Sequence, residues 1–162
     1  MKILVLNCGS SSVKFQLIES SLEAIEKSTE KLLAKGQVEK IGQASAVIIY
    51  SPTGGPTTKE SAVILEHRAA IEAVLRLLQD PERGVIKDKA EITAVGHRVV
   101  HGGEKFSGSK LITSEVLEQI RECIDLAPLH NPANIKGYEV ARQLLPDVPH
   151  CAVFDTAFHQ TM

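Results

Sequence analysis

The chain has 162 residues, of which 43% are apolar and 23% charged, so it is long enough to bury the core of one domain. Its 18 basic and 20 acidic side chains give a net charge of −2, and it lacks Trp, which argues against a nucleic-acid partner. The sequence contains neither an apolar run long enough for a membrane span nor a signal-peptide pattern. Its three cysteines have no metal or redox spacing and fit a reducing compartment. These properties predict a soluble cytoplasmic protein.

The first twenty residues predict two strands joined by a Gly-Ser turn. Strand-type residues lead to Asn7, the turn is Gly9–Ser12, and apolar and polar residues alternate beyond it. Such a turn can offer backbone N–H groups, three hydroxyls, the Asn7 amide and the Lys14 ammonium to one anion. It is not a Walker A loop, because GxxxxGK[ST] is absent. An ordinary hairpin is the alternative that this segment alone leaves open.

The rest of the first third predicts further strands with one short helix. The helix is expected over Ser28–Ala34, ended by Gly36, with a strand at Val38–Ile41. A buried strand at Ala46–Tyr50 is followed by a Pro-Gly turn and a return strand at Lys59–Leu65. These segments indicate antiparallel pairing.

Helices and strands alternate in the remainder. The expected elements are a helix at Arg68–Leu78, a strand at Ile92–Val100, a helix at Thr113–Ile124, a helix from Asn131 to Pro146, and a strand at His150–Phe154. Strands first and strand–helix alternation afterwards predict one mixed α/β sheet with helices packed on it. Polar groups in such sheets gather at the carboxyl ends of strands. Because Asn7, the segment 98–103 and Asp155 fall at such ends, we expect them to share one site.

Three further segments contain residues suited to anion chemistry. Arg98 can clamp a carboxylate or phosphate through two parallel hydrogen bonds, and a structural ion pair is the alternative. His130 lies just before a predicted helix N-terminus, where it can donate to an anion, or it can be purely structural. Asp155 follows a buried strand, a position that suits a metal, a base or the cap of the next turn. His67 and His150 receive no role from their sequence context.

Together, these segments resemble the acetate kinase (acetokinase) family. The matching strings are Asn-x-Gly-Ser-Ser-Ser-x-Lys from Asn7, Gly-His-Arg-Val-Val-His-Gly-Gly-Glu from Gly96, Ala-Pro-Leu-His-Asn-Pro-Ala-Asn from Ala127 and Phe-Asp-Thr-Ala-Phe-His-Gln-Thr-Met from Phe154. The resemblance implies a ribonuclease H-like mixed sheet flanked by helices, as in the acetate and sugar kinase, heat-shock ATPase and actin superfamily. It also implies reversible phosphoryl transfer from ATP to acetate, giving acetyl phosphate and ADP.

The resemblance assigns the opening hairpin to the nucleotide side of the reaction. Asn7 would contact Mg²⁺. Lys14 would serve the nucleotide phosphates together with Ser10, Ser11 and Ser12.

The other implied roles concern the acyl substrate and the transferred group. Arg98 would bind the acyl substrate, and Val100 and Leu129 would line its methyl pocket. His130 would hold the transferring phosphoryl group, and Asp155 would be the catalytic carboxylate. Since acetate is already ionised at pH 7, we expect Asp155 to position Mg²⁺ or substrate rather than to act as an obligate base.

Members of this family are more than twice as long as the chain. We therefore expect residues 1–162 to be the N-terminal domain, without the C-terminal nucleotide-side domain and with negligible kinase activity by itself. The resemblance suggests a homodimer for the full-length form. A propionate or butyrate kinase is one alternative, since a methylene group changes binding by only about 1–3 kcal/mol. A non-catalytic anion-binding or assembly module is the other.

Overall fold

The computed structural model describes residues 1–21, 30–99, 110–122 and 131–154. Within these ranges the helices are α1 (His67–Leu78), α2 (Ser114–Glu122) and α3 (Asn131–Leu144), with a short 3-10 helix at Lys89–Glu91. The strands are β1 (Lys2–Cys8), β2 (Val13–Glu19), β3 (Lys31–Glu39), β4 (Ala46–Pro52), β5 (Thr58–Ala62), β6 (Ile92–Val99), β7 (Lys110–Leu111) and β8 (His150–Phe154). None of the described helices is long and apolar enough to cross a membrane.

The strands form one mixed sheet in the order β5-β4-β3-β2-β1-β6-β8-β7. The first five strands pair antiparallel with their neighbours along the chain. β6 then pairs parallel with β1, and β8 pairs parallel with β6. The expected mixed sheet is confirmed. Because β1, β6 and β8 run parallel side by side, their carboxyl ends lie at the same edge of the sheet.

The two faces of the sheet differ in burial. Alternate residues of β1, such as Leu4 and Leu6, are buried in one core with Ile71 and Val74 of α1 and with residues of α3. α2 contributes Ile120 to a smaller cluster on the same side. We call this side the covered face. The opposite side, with half-buried and exposed side chains in the described residues, is called the open face.

The short helix predicted at Ser28–Ala34 is wrong for residues 31–34, which belong to β3; residues 28 and 29 lie outside the described ranges. Gly36 does not end a helix but lies within this strand, between its ladder partners Phe15 and Tyr50. The rings of these two partners stack with centroids 6.4 Å apart. A Cβ at residue 36 would overlap the Ile49 carbonyl oxygen of β4 and come within 2.8 Å of the Phe15 ring. Gly36 therefore allows both the close approach of β4 and the packing of the Phe15 ring inside the sheet.

The later elements follow the predictions more closely. The helix expected at Arg68–Leu78 is α1, and the helix expected at Asn131 begins there and ends two residues before Pro146. The helix expected at Thr113–Ile124 is described over Ser114–Glu122. The short strand β7 was not expected from the sequence. It pairs with β8 at the end of the sheet.

Candidate functional site

Three of the predicted site residues lie side by side on the open face. Asn7 is the ladder partner of Lys14 on β2. It also lies one position beyond the Leu6–His97 pair, which places it beside Arg98 on β6. Asn7, Lys14 and Arg98 all line one pocket of about 480 Å³. The sheet register thus brings together residues that are up to 91 positions apart.

The pocket is cationic. Its charged lining residues among those described are Lys14, Lys35 and Arg98, and no carboxylate belongs to this lining. Gln16 and Gln37 add amide groups, and the remaining lining residues are Val5, Phe15, Gly36, Ile49 and Ser51. Like charges that line a cleft raise the local concentration of an oppositely charged ligand. The arrangement is therefore suited to small anions such as carboxylates and phosphates.

The Gly-Ser turn lies at the same edge of the sheet, between β1 and β2. The Gly9 N–H donates to the Ser12 carbonyl at 2.9 Å, and the Ile41 N–H donates to the Ser11 carbonyl at 3.0 Å. Ser10 and Ser11 are exposed, whereas Ser12 is half-buried. A Cβ at residue 9 would approach the Ser12 hydroxyl within 2.8 Å. The turn is therefore compact and exposes Ser10 and Ser11 at this edge of the sheet, but none of its three serines is among the described residues that line the pocket.

Two side chains from the covered face bind carbonyl oxygens of this turn. His67, the first residue of α1, donates from Nε2 to the Gly9 carbonyl at 2.6 Å. Asn134 of α3 donates from Nδ2 to the Cys8 carbonyl at 2.7 Å and is buried. Sequence reasoning gave neither residue a role. A polar residue at a buried helix position was the one signal that could have indicated Asn134.

Behind Arg98, a buried histidine pair joins β6 to β8. His150 Nε2 lies 2.8 Å from the Leu145 carbonyl, so it must be the protonated nitrogen. His150 Nδ1 then accepts, and His97 Nε2 donates to it at 2.9 Å. The ring of Tyr138 meets both imidazoles edge-on, at centroid distances of 5.5 and 5.8 Å. The pair therefore fixes the strand residue that immediately precedes Arg98.

Both histidines are held neutral. Burial lowers the pKa of His97 to about 3, and a positive charge on the neighbouring His150 would act in the same direction. Burial also lowers the pKa of His150, against the hydrogen bond to the Leu145 carbonyl. A neutral pair is consistent with the one-donor, one-acceptor geometry between the rings.

Four predicted site residues, Val100, Leu129, His130 and Asp155, lie outside the described ranges. Their chain neighbours are described. β6 ends directly before Val100, α3 begins directly after His130, and β8 ends directly before Asp155. Since β6 and β8 end at the edge of the sheet that carries Asn7, the order of elements is compatible with one shared site.

The described residues include oxygen atoms that could bind a metal ion, but they do not form a complete metal site. No three His, Cys, Asp or Glu side chains within those ranges come together as a metal site. The Asn7 amide oxygen and the serine hydroxyls of the turn are donors of the type that Mg²⁺ binds. Mg²⁺ often keeps several waters and is held by one or two protein groups together with substrate phosphates. The residues present therefore fit a Mg²⁺ ion that arrives with phosphate.

The model of the acetokinase family matches residues 2–162. The chain belongs to this family. It is 55% identical over 162 residues to an acetate kinase of Desulfitobacterium hafniense, a match that covers 100% of the chain and 39% of the relative. The chain thus spans about two-fifths of the length of that acetokinase.

Solved structures of the family have the same fold. The crystal structure of Porphyromonas gingivalis acetate kinase matches with a TM-score of 0.90 and 48% identity, over 99% of this chain and 39% of that one. A propionate kinase from Francisella tularensis matches with a TM-score of 0.83 and 41% identity, over 99% and 38%. The mixed sheet flanked by helices is therefore the acetokinase fold, within the acetate and sugar kinase and actin superfamily.

Proposed function

We propose that residues 1–162 form the N-terminal domain of an acetate kinase that transfers a phosphoryl group reversibly between ATP and acetate. The observation that carries the proposal is the convergence of Asn7, Lys14 and Arg98 in one cationic pocket. Membership of the acetokinase family along residues 2–162 supports the same reaction.

The residue types suit this chemistry. Transfer to acetate brings a carboxylate and a polyphosphate together, so the site must neutralise negative charge and align the reacting groups more than it must form covalent bonds. The guanidinium of Arg98 binds the carboxylate of acetate or acetyl phosphate through a planar pair of N–H donors. Val100 and Leu129 enclose the methyl group of that substrate.

The nucleotide phosphates bind at the Gly-Ser turn. Lys14 and the hydroxyls of Ser10, Ser11 and Ser12 surround the phosphate oxygens, and Asn7 would hold Mg²⁺ through its amide oxygen. When bound, the ion would neutralise negative charge on the phosphates.

The transferring phosphoryl group lies at the edge of the sheet where β6 and β8 end. His130 holds this group, and Asp155 would position Mg²⁺ or substrate. Because acetate is already ionised at neutral pH, Asp155 does not need to act as a base.

The chain spans 39% of its Desulfitobacterium relative, and we assign the other wall of the nucleotide cleft to a C-terminal domain. The complete enzyme is a homodimer in the cytoplasm, a reducing compartment that suits the free thiols of Cys8 and Cys151.

The test is calorimetric titration of the 162-residue chain with acetyl phosphate. The substitution Arg98→Ala removes charge-assisted hydrogen bonds worth about 1.5–3 kcal/mol, so binding should weaken about 10- to 100-fold. Arg98→Lys should recover only part of the affinity, because an ammonium cannot form the planar pair. The control Arg76→Ala removes the same charge from the exposed side of α1 and should leave the affinity unchanged.

Equal affinity in the wild-type and Arg98→Ala chains would contradict the proposed acyl site. If acetyl phosphate binds as proposed but the full-length protein forms no product, the chain belongs to a non-catalytic anion-binding module.

A propionate kinase is the second candidate, favoured by the similarity to the Francisella tularensis structure. One added methylene changes binding by only about 1–3 kcal/mol, so the two activities overlap. The ratio of kcat/KM for acetate and propionate, measured on the full-length protein, decides between them.

A further inference from the structure

Two consecutive carbonyl groups at the start of the Gly-Ser turn are bound by side chains from two different helices. The Cys8 carbonyl accepts from Asn134 of α3, and the Gly9 carbonyl accepts from His67 of α1. These contacts join residues 126 and 58 positions apart in the chain. Both donors come from the covered face, so both carbonyls point away from the open side of the sheet.

The direction of a carbonyl fixes the direction of the next N–H group. The peptide unit is planar, and in the trans form its C=O and N–H point in opposite directions. The described residues contain no cis peptide bond. Since the Cys8 carbonyl points to α3, the Gly9 N–H points away from that helix, toward the Ser12 carbonyl that it meets at 2.9 Å.

The same rule applies to the next peptide. Since the Gly9 carbonyl points to His67, the N–H of Ser10 points away from α1. Ser10 is exposed, and neither the β1–β2 ladder nor the hydrogen bonds of the described turn engage its N–H. A backbone N–H held in this way can donate to an anion without reorganising, which is the principle of anion-binding turns.

We propose that His67 and Asn134 are positioning residues of the phosphate site, which hold the Cys8 and Gly9 carbonyls so that the Ser10 N–H faces a bound phosphate. The inference rests on the proposed function of the turn and adds two residues that do not touch the ligand. His67 acts on the Ser10 peptide directly. Asn134 acts one peptide earlier, where it supports the hydrogen bond that closes the turn.

The side-chain chemistry sets the choice of variants. His67→Leu removes the donor and keeps an apolar side chain against the turn. His67→Gln keeps an N–H donor at the ε position, so it should restore the bond to the Gly9 carbonyl. Asn134→Ser keeps a polar group but is too short to reach the Cys8 carbonyl, and it is the second test.

The first measurement needs no ligand. Residual dipolar couplings of the ¹⁵N-labelled 162-residue chain report the direction of each N–H bond. In His67→Leu the Ser10 coupling should change, while couplings in β1, β2 and α1 stay as in the wild-type chain. In His67→Gln all couplings should match the wild type. An unchanged Ser10 coupling in His67→Leu would overturn the positioning role of His67.

The second measurement uses inorganic pyrophosphate as the probe. Titration should shift the Ser10 amide resonance of the wild-type chain to saturation. In His67→Leu and in Asn134→Ser, the loss of one hydrogen-bond donor to phosphate should raise the dissociation constant roughly tenfold. His67→Gln should lie within about threefold of the wild type.

The two ways of failing are distinct. If pyrophosphate does not shift the Ser10 amide of the wild-type chain, the phosphate role of the turn is wrong, and the positioning role falls with it. If the wild-type shift is present and His67→Leu binds pyrophosphate equally well, the phosphate site stands and the positioning role is overturned.

Discussion

Asn7 lies between two cations on the open face, with Lys14 across the β1–β2 ladder and Arg98 on β6. An uncharged amide in this position separates the two positive charges and offers an oxygen to a third partner. In the proposed reaction Lys14 and Arg98 contact different anions. If each cation binds a separate ligand, the losses of binding free energy on removing Lys14 and Arg98 should be additive. Non-additive losses would mean that one ligand contacts both side chains.

Cys8, the neighbour of Asn7, faces the other side of the sheet and contacts a glycine of α3. A Cβ at Gly137 would overlap the Cys8 sulfur and lie 2.9 Å from its Cβ. The buried thiol has its pKa raised to about 12, because burial disfavours the thiolate. Cys8 therefore acts as a small apolar group whose size sets how closely α3 approaches β1.

Gly137→Ala introduces overpacking against Cys8, which costs about 1–3 kcal/mol. Alanine gains about 1 kcal/mol in helix propensity, so we expect the chain to be destabilised by up to about 2 kcal/mol. Urea unfolding monitored by circular dichroism measures the difference. The double variant Cys8→Ala/Gly137→Ala should recover part of the loss, because the added methyl group then occupies the space of the sulfur. Additive losses in the double variant would show that the two residues do not compete for that space.

At the scale of elements, the histidine pair joins β6 and β8, with His97 near the carboxyl end of β6 and His150 at the first position of β8. His97 has an exposed fraction of 2% and His150 of 3%, so neither ring can be hydrated when it gains a proton. The only polar partners that the described contacts provide are each other and the Leu145 carbonyl. A proton on His97 Nδ1 would therefore place a buried charge without a further polar partner among the described contacts, and a proton on His150 Nδ1 would remove the acceptor of the hydrogen bond between the rings.

The free energy of unfolding should fall as the pH drops below about 6.5. The pKa of His97 is lowered in the folded chain from 6.5 to about 3, so between these values the unfolded chain binds a proton that the folded chain does not. The stabilisation is complete above pH 6.5 and declines toward pH 3, by at most about 1.4 kcal/mol per pH unit for each histidine. Urea unfolding at pH 7, 6 and 5 measures the slope.

His97→Gln is the control for this pH dependence. Glutamine keeps an N–H donor for His150 but does not titrate, so the slope between pH 6.5 and 5 should decrease to the contribution of His150. The pKa of Glu91 is lowered from 4.5 to about 2 by its hydrogen bond to Lys2, and its effect therefore appears only below this window. A slope identical to that of the wild type would rule out His97 as the titrating group.

The periodic elements of this fold could be predicted because local spacing determines them. Helix α1 has apolar residues at helical spacing, and β6 has Arg98 and His97 on opposite faces as alternation requires. The start of β3 could not be predicted. In the sequence Gly36 looks like the end of a helix, whereas in the structure it allows close packing between strands. A side chain at this position is excluded by the Ile49 carbonyl oxygen and by the Phe15 ring, which belong to two other strands.

The residues of the candidate site also divide into those that the sequence could place and those that it could not. Asn7 and Arg98 could be placed together from sequence, because parallel strands end at a common edge. His67 and Asn134 could not, since each bonds a backbone atom far away in the chain. The His97–His150 contact also links distant segments. The residues proposed to contact a ligand lie in sequence motifs, whereas the residues that hold those motifs in place depend on how the helices pack on the sheet.

At the scale of the whole molecule, the described helices occupy one face of the sheet, and the cationic pocket occupies the other. Among the described residues, the pocket is bounded by β6, β1, β2, β3 and β4 and is open on the remaining side. In phosphoryl-transfer enzymes that close two domains over their substrates, the closure excludes water and aligns the reacting atoms. In the proposal above, a C-terminal domain closes the pocket, and this chain supplies the acyl site and the phosphate turn.

The 162-residue chain by itself is therefore expected to bind anions without turning them over. Acetyl phosphate should bind with a dissociation constant of about a millimolar, which corresponds to roughly 4 kcal/mol and fits a few charge-assisted hydrogen bonds in an open pocket. Formation of acetyl phosphate from ATP and acetate should not exceed the enzyme-free rate, since in the proposed two-domain arrangement this chain alone cannot exclude water or align the nucleotide. Trapping the product with hydroxylamine measures the rate. Turnover by the purified chain at the rate of the full-length protein would mean that residues 1–162 hold the complete active site, and the two-domain assignment would have to be abandoned.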